Sequence, residues 1–131
     1  AERKSLLSNF VAEEPELLRE FLEYCGCTGS LSLSGINWED AEIVFEEQAR
    51  RDRNIFDVYV SVDKKFQIII ECKLDSQLDV NQLKRYADWG AQQSNYFPEF
   101  VVISLTRNEQ DKKSVKPRHS IKLRTGILVN W

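Results

Sequence analysis

Eight residues, Phe66 to Lys73, constrain the fold of this chain more than any others: Phe-Gln-Ile-Ile-Ile-Glu-Cys-Lys. Three consecutive β-branched residues favour a strand. Strand side chains alternate, so Gln67, Ile69, Glu71 and Lys73 share one face, and Phe66, Ile68, Ile70 and Cys72 share the other. The preceding run, Asn54 to Val62, ends at Asp63-Lys64-Lys65, which is polar enough to turn the chain back. A hairpin of the two runs sets Asp57 across from Glu71.

Around this hairpin the pattern predicts a first strand at about Ala41 to Gln48 and a helix at about Val80 to Gln93. Asp79 and Gln82 are spaced like a capping box, and Leu83, Tyr86, Ala87 and Gly90 form the inner face of that helix. Towards the start, Leu6, Leu7, Phe10 and Val11, then Leu17, Leu18, Phe21, Leu22 and Cys25, repeat at helical spacing on either side of Glu14-Pro15. They predict two helices, or one broken helix, ended by Gly26. Gly26 to Gly35 is a connector in which the alternating Ser30-Leu31-Ser32-Leu33-Ser34 suggests a short edge strand, and it is the expected place for a lid or interface loop.

Two carboxylates and a lysine on adjacent strands have a definite chemistry. Mg²⁺ is a hard cation that takes one or two carboxylates together with waters and substrate phosphate. Asp57 and Glu71 supply carboxylates, and the backbone carbonyl of Cys72 offers a third oxygen. A bound metal lowers the pKa of its water and screens the charge of a phosphate under attack. The ammonium of Lys73 is placed to orient the nucleophile or stabilise the transition state. Taken alone, a Glu-x-Lys at a strand end is usually only solvated; the upstream aspartate and the isoleucine run give it weight.

In content and order the pattern resembles the PD-(D/E)XK nuclease superfamily, over roughly residues 40 to 105. In that family the Glu-x-Lys strand is followed by a helix carrying Gln-x-x-x-Tyr, and here Gln82-Leu83-Lys84-Arg85-Tyr86 begins nine residues past Lys73. Gln82 and Tyr86 share a helix face. The resemblance implies that they support the site: Gln82 by hydrogen bonding towards Glu71, Tyr86 by touching a substrate phosphate or packing under the sheet. Phe100 to Thr106 and Ile127 to Trp131 look like further strands of the family. The fold so implied is α/β, a restriction-endonuclease-like core with a central mixed four- to five-stranded sheet flanked by helices in the order αβββαβ.

The same resemblance implies a nuclease, endonuclease or exonuclease, that hydrolyses phosphodiester bonds with Mg²⁺ or Mn²⁺ held by Asp57, Glu71 and Cys72, Lys73 assisting. DNA is expected ahead of RNA, and a homodimer is open because many enzymes of this fold pair to cut two strands. This chain departs from the family in having Phe56-Asp57 in place of Pro-Asp. Family members also commonly add a glutamate from the first helix, and Glu2, Glu13, Glu14, Glu46 and Glu47 are the candidates weighed for it. The alternative is a catalytically inactive nucleic-acid-binding or assembly module with the same fold.

Composition narrows the other classes. A chain of 131 residues is one domain, here residues 1–131, and buries a core without disulfides. Three cysteines without framework spacing point to a reducing compartment. Cys25 and Cys27 with His119 lack zinc-site spacing, and a lone histidine argues against Cys/His or Ser/His catalysis. There is no glycine-rich phosphate loop. No segment approaches the roughly 20 apolar residues of a membrane span, so a soluble, cytoplasmic protein with no membrane partner is expected. The absence of methionine and the strand-like ending suggest a domain of a longer chain.

Charge is segregated along the chain. Residues 1–49 carry three Lys/Arg against eleven Asp/Glu, and residues 50–131 carry fifteen against ten. Arg107, Lys112, Lys113, Lys116, Arg118, Lys122 and Arg124 form a basic segment that would track a phosphate backbone or be an ordinary solvated loop. Arg50, Arg51 and Arg53, just before Asp57, would add to it.

Overall fold

The computed structural model describes residues 14–73, 79–106 and 121–125. In chain order these form helix α1 (Pro15–Tyr24), a 3-10 turn (Leu33–Gly35), strands β1 (Ile43–Arg51), β2 (Asn54–Val62) and β3 (Phe66–Lys73), helix α2 (Val80–Gln92), and strands β4 (Glu99–Thr106) and β5 (Ile121–Thr125). The strands make one five-stranded sheet in the order β1-β2-β3-β4-β5. The first two pairs are antiparallel and the last two parallel, so the sheet is mixed. This is the expected α/β architecture, consistent with a restriction-endonuclease-like fold.

Local chemistry explains the joints. Pro15, whose missing N–H costs nothing in the first turn, starts α1. The helix ends where Gly26 adopts φ +79°, its N–H donating to the Glu23 carbonyl and that of Cys27 to the Leu22 carbonyl, each at 3.0 Å. Both bonds satisfy carbonyls that the helix leaves open, as in a Schellman motif. Between β2 and β3, Asp63 and Lys64 take φ of 52° and 54°, with the Lys65 N–H closing on the Val62 carbonyl at 2.9 Å. Positive φ at both central positions is the turn whose twist suits a hairpin.

Each face of the sheet carries its own core. On one side α1 lays Leu18, Phe21 and Leu22 over Val60, Val62, Phe66, Ile68, Val101, Ile103 and Leu105. On the other, α2 packs Leu83, Tyr86, Ala87 and Trp89 against Phe56, Tyr59, Ile69 and Val102. The connector belongs to the first core. Cys27, Leu31, Leu33, Ile36 and Trp38 are all buried in it, and the Trp38 indole N–H donates to the Leu33 carbonyl at 3.2 Å. The expected edge strand is therefore corrected. The Ser/Leu alternation puts its leucines inward as a 3-10 turn, while the N–H and hydroxyl of Ser32 both donate to the Glu99 carboxylate, at 2.9 and 2.7 Å.

The fifth strand also differs from expectation. Ile121–Thr125 pairs with β4 inside what the charge count marks as a basic segment. Its Ile-Lys-Leu-Arg-Thr sequence alternates with period two, a strand signal that its charges conceal. Ile127 to Trp131 and the first expected helix, Leu6 to Val11, lie outside the described residues. Among the described residues, no helix is long and apolar enough to cross a membrane.

One irregularity positions the site. β1 and β2 pair from Ile43↔Val62 through Arg51↔Asn54, but β2 and β3 pair only as far as Val58↔Ile70. Residues 49–56 thus run on as a two-stranded ribbon beyond the sheet. Alternation breaks at its root. Ile43, Phe45, Val58 and Val60 face the α1 side, yet Ala49 and Phe56 face α2. The change of face falls at Gln48, with φ +50°, and at Asp57 opposite it. Two-stranded ribbons twist more strongly than sheets, and here the twist folds Phe56 onto Tyr86 and Trp89, with ring centroids 4.7 and 5.1 Å apart.

Candidate active site

Where the β2–β3 ladder stops, side chains take its place. Continuing the register by one residue sets Asp57 opposite Glu71. The Asp57 N–H donates to Glu71 Oε1 at 3.0 Å, and the Cys72 N–H donates to Asp57 Oδ2 at 3.0 Å. Each acid is fixed by a backbone N–H that the parting strands would otherwise leave without a strand partner. A carboxylate has about four lone-pair sites, so such a bond does not by itself use up its capacity to ligate a cation. Glu71 is only 2% exposed, whereas Asp57 is half-buried and borders solvent. A strand residue directs its N–H and C=O towards the same neighbour, so the Cys72 carbonyl opens on this gap as well.

The helix α2 closes the site from its own side of the sheet. Asp79 caps it, accepting from the Gln82 N–H at 3.0 Å, which fixes the first turn. One turn on, the Tyr86 hydroxyl donates to the Ile55 carbonyl at 2.8 Å and so ties helix to ribbon. Burial, reinforced by the negative charges of Glu71 and Asp57, holds that hydroxyl well above the usual tyrosine range. Tyr86 is therefore a neutral donor at physiological pH, and of the two roles expected for it, packing under the sheet is the one observed.

The structure brings Asp57, Glu71, the Cys72 backbone and Tyr86 together. Lys73 is the last residue of β3, and its side chain lies outside the described residues, as do Arg107, Lys112, Lys113, Lys116 and Arg118. Arg50 and Arg53 are exposed on the ribbon. Arg51 is committed elsewhere: its guanidinium holds the Glu46 carboxylate at 2.8 and 3.2 Å and lies 4.6 Å from the Tyr59 ring centre. That arginine is withdrawn from the basic surface expected of it.

The same pairing commits Glu46, and Glu47 is exposed on the edge strand. Glu16 and Glu23 pair with Arg19 on α1, which packs on the face opposite Glu71. Glu2 and Glu13 lie outside the described residues. Among the described residues, no three His, Cys, Asp or Glu side chains are grouped to hold a metal, which leaves a pair of carboxylates. A cleft of about 770 Å³ lined by Glu16, Arg19, Trp38 and Glu99 opens elsewhere, at the start of β4, and takes no part in this constellation.

Sequence reasoning did not single out Ser104. It stands beside Glu71 in the β3–β4 register, on the α2 face by its spacing from Val102, and is fully buried. Its only sequence signal is that it interrupts the apolar run Phe100 to Leu105.

The chain matches the model of a family of the PD-(D/E)XK nuclease superfamily over residues 7–130. No curated protein and no solved structure matches the chain.

Proposed function

Because the chain belongs to the PD-(D/E)XK nuclease superfamily, we propose that it hydrolyses phosphodiester bonds in DNA at a site built on Asp57, Glu71 and Lys73. The observation that carries this reading is the reciprocal clamp at the end of the β2–β3 ladder, which presents two acids side by side with one face open to solvent. Two hard oxygen donors, the Cys72 carbonyl in the same gap, and buried polar atoms at Ser104 and Gln82 without partners among the described residues fit a small divalent ion such as Mg²⁺ or Mn²⁺. When bound, that ion supplies a more acidic water and screens the charge of the phosphate.

The chain's own groups do the rest. Asp57, at the solvent side, would hold the cation where an incoming phosphate can reach it, while Glu71 stays inside and is oriented by the Asp57 N–H. Lys73, two residues along β3, orients the nucleophile. Tyr86 fixes the ribbon, and the exposed Arg50 and Arg53 on it engage phosphates flanking the scissile one.

End-labelled single-stranded DNA, duplex DNA and RNA, incubated with Mg²⁺, Mn²⁺ or EDTA, test this directly. Metal-dependent cutting of DNA that is lost in both Glu71→Ala and Lys73→Ala is expected; cutting that survives both substitutions would sink the assignment. The second reading, a nucleic-acid-binding module without activity, draws on the absence of a third acidic group beside the pair among the described residues. Tight DNA binding without cleavage under any metal would favour it.

A further inference from the structure

Among the described residues four polar side chains are buried on the α2 face of the sheet, and Ser104 is the one whose hydroxyl is wholly enclosed with no hydrogen-bond partner. A buried hydroxyl without a partner is costly, so a packed strand would ordinarily hold alanine there. Its neighbours are informative. On the sheet it lies beside Glu71, in a row that β5 continues with Leu123. Above that face stands the first turn of α2, where Gln82 Oε1, like Gln67 Oε1 further back on β3, is a buried oxygen with no partner among the described residues. Gln82 precedes Tyr86 by one helical turn, and Tyr86 feels the charges of both Glu71 and Asp57. Ser104 and Gln82 thus stand on the strand and the helix that flank the carboxylate pair.

We propose that Ser104 is a positioning residue whose hydroxyl is completed only when the site is loaded: it accepts a hydrogen bond from a water in the shell of the cation that Asp57 and Glu71 hold. Mg²⁺ and Mn²⁺ suit this role because a small hard cation bound by few carboxylates keeps several waters, and each needs an acceptor. Outer-shell partners of this kind orient the inner ligands. The inference rests on the metal site proposed above and extends it to a residue on a different strand.

The test separates holding the cation from holding the fold. Wild type, Ser104→Ala, Ser104→Cys and Glu71→Gln are titrated with Mn²⁺ by calorimetry and melted in EDTA. Ser104→Ala is expected to bind Mn²⁺ roughly tenfold more weakly, as outer-shell substitutions do, while melting in EDTA at the wild-type temperature or above it. Ser104→Cys, nearly the same size but a poor hydrogen-bonding group, should follow alanine and so exclude a packing effect. A lower melting temperature in EDTA for Ser104→Ala would mean that the hydroxyl serves the metal-free fold, and would overturn the proposal. Unchanged Mn²⁺ affinity in Ser104→Ala, with binding lost in Glu71→Gln, would overturn the role of Ser104 alone. No Mn²⁺ binding by wild type would overturn it together with the metal site.

Discussion

The two faces of one sheet are built to different rules. On the α1 side every buried sheet residue among those described is apolar, from Val60 and Val62 through Phe66 and Ile68 to Val101, Ile103 and Leu105. The α2 side alternates with it along the same strands, yet it buries Ser61, Gln67, Glu71 and Ser104. Backbone, strand propensity and length are shared, so the difference does not come from the requirements of a strand. One face supplies stability through burial, at about 25 cal/mol per Å² of apolar surface. The other gives up some of that gain to hold polar groups in a fixed place, a pattern expected of functional sites.

Substitutions on the two faces should separate stability from activity. The largest effect on folding is expected for Phe66→Ala, which empties a fully buried site against Trp38 and should cost about 3–5 kcal/mol in chemical denaturation. Its activity per folded molecule should hold. Glu71→Gln should do the reverse, retaining the acceptor for the Asp57 N–H and its melting temperature while cleavage falls at least a hundredfold, equivalent to about 3 kcal/mol. Similar stability losses from both would dissolve the distinction between the faces.

Gly90→Ala comes next. A Cβ there would enter the Phe100 ring, where α2 lies closest to β4, and the shift needed should cost about 1–3 kcal/mol. Tyr86→Phe removes the hydrogen bond to the Ile55 carbonyl and should cost about 1 kcal/mol near neutral pH. Its sign changes with alkali. The folded tyrosine titrates above its unfolded value of 10.0, so the stability it carries is present below that pH and is lost as pH rises beyond it. Wild type should therefore lose stability above about pH 10 faster than Tyr86→Phe does. The smallest effect sharpens the contrast at the ribbon: replacing Arg50 and Arg53 with alanine should lower the salt dependence of DNA binding by about two in log-log slope, read by fluorescence anisotropy, with Mn²⁺ affinity unchanged.

Much of this was legible because the relevant signals are local. The Phe66–Lys73 alternation, the polar turn at Asp63-Lys64 and the Asp79 cap each depend on residues close in sequence, and all three stand in the structure. The register that pairs Asp57 with Glu71 follows from that turn. What escaped depends on distant partners. The face change at Gln48 and Asp57 brings Phe56 onto Tyr86 of α2, a contact between residues about 30 apart in sequence. Ser104 gains meaning only through its neighbour on β3. The connector was misread because its Ser/Leu alternation fits an edge strand as well as a turn that buries its leucines. The choice was made by α1 and the carboxylate of Glu99.

A divalent cation completing the polar face at Asp57 and Glu71 would bind the folded chain and not the unfolded one. Thermal melting of wild type and Glu71→Gln, each in EDTA and in Mn²⁺, tests it most directly. At about a hundred times its dissociation constant the ion should stabilise wild type by about 2.7 kcal/mol. Glu71→Gln should melt in EDTA no lower than wild type and show no response to Mn²⁺. A wild type indifferent to Mn²⁺, or a Glu71→Gln variant stabilised by it equally, would contradict the account.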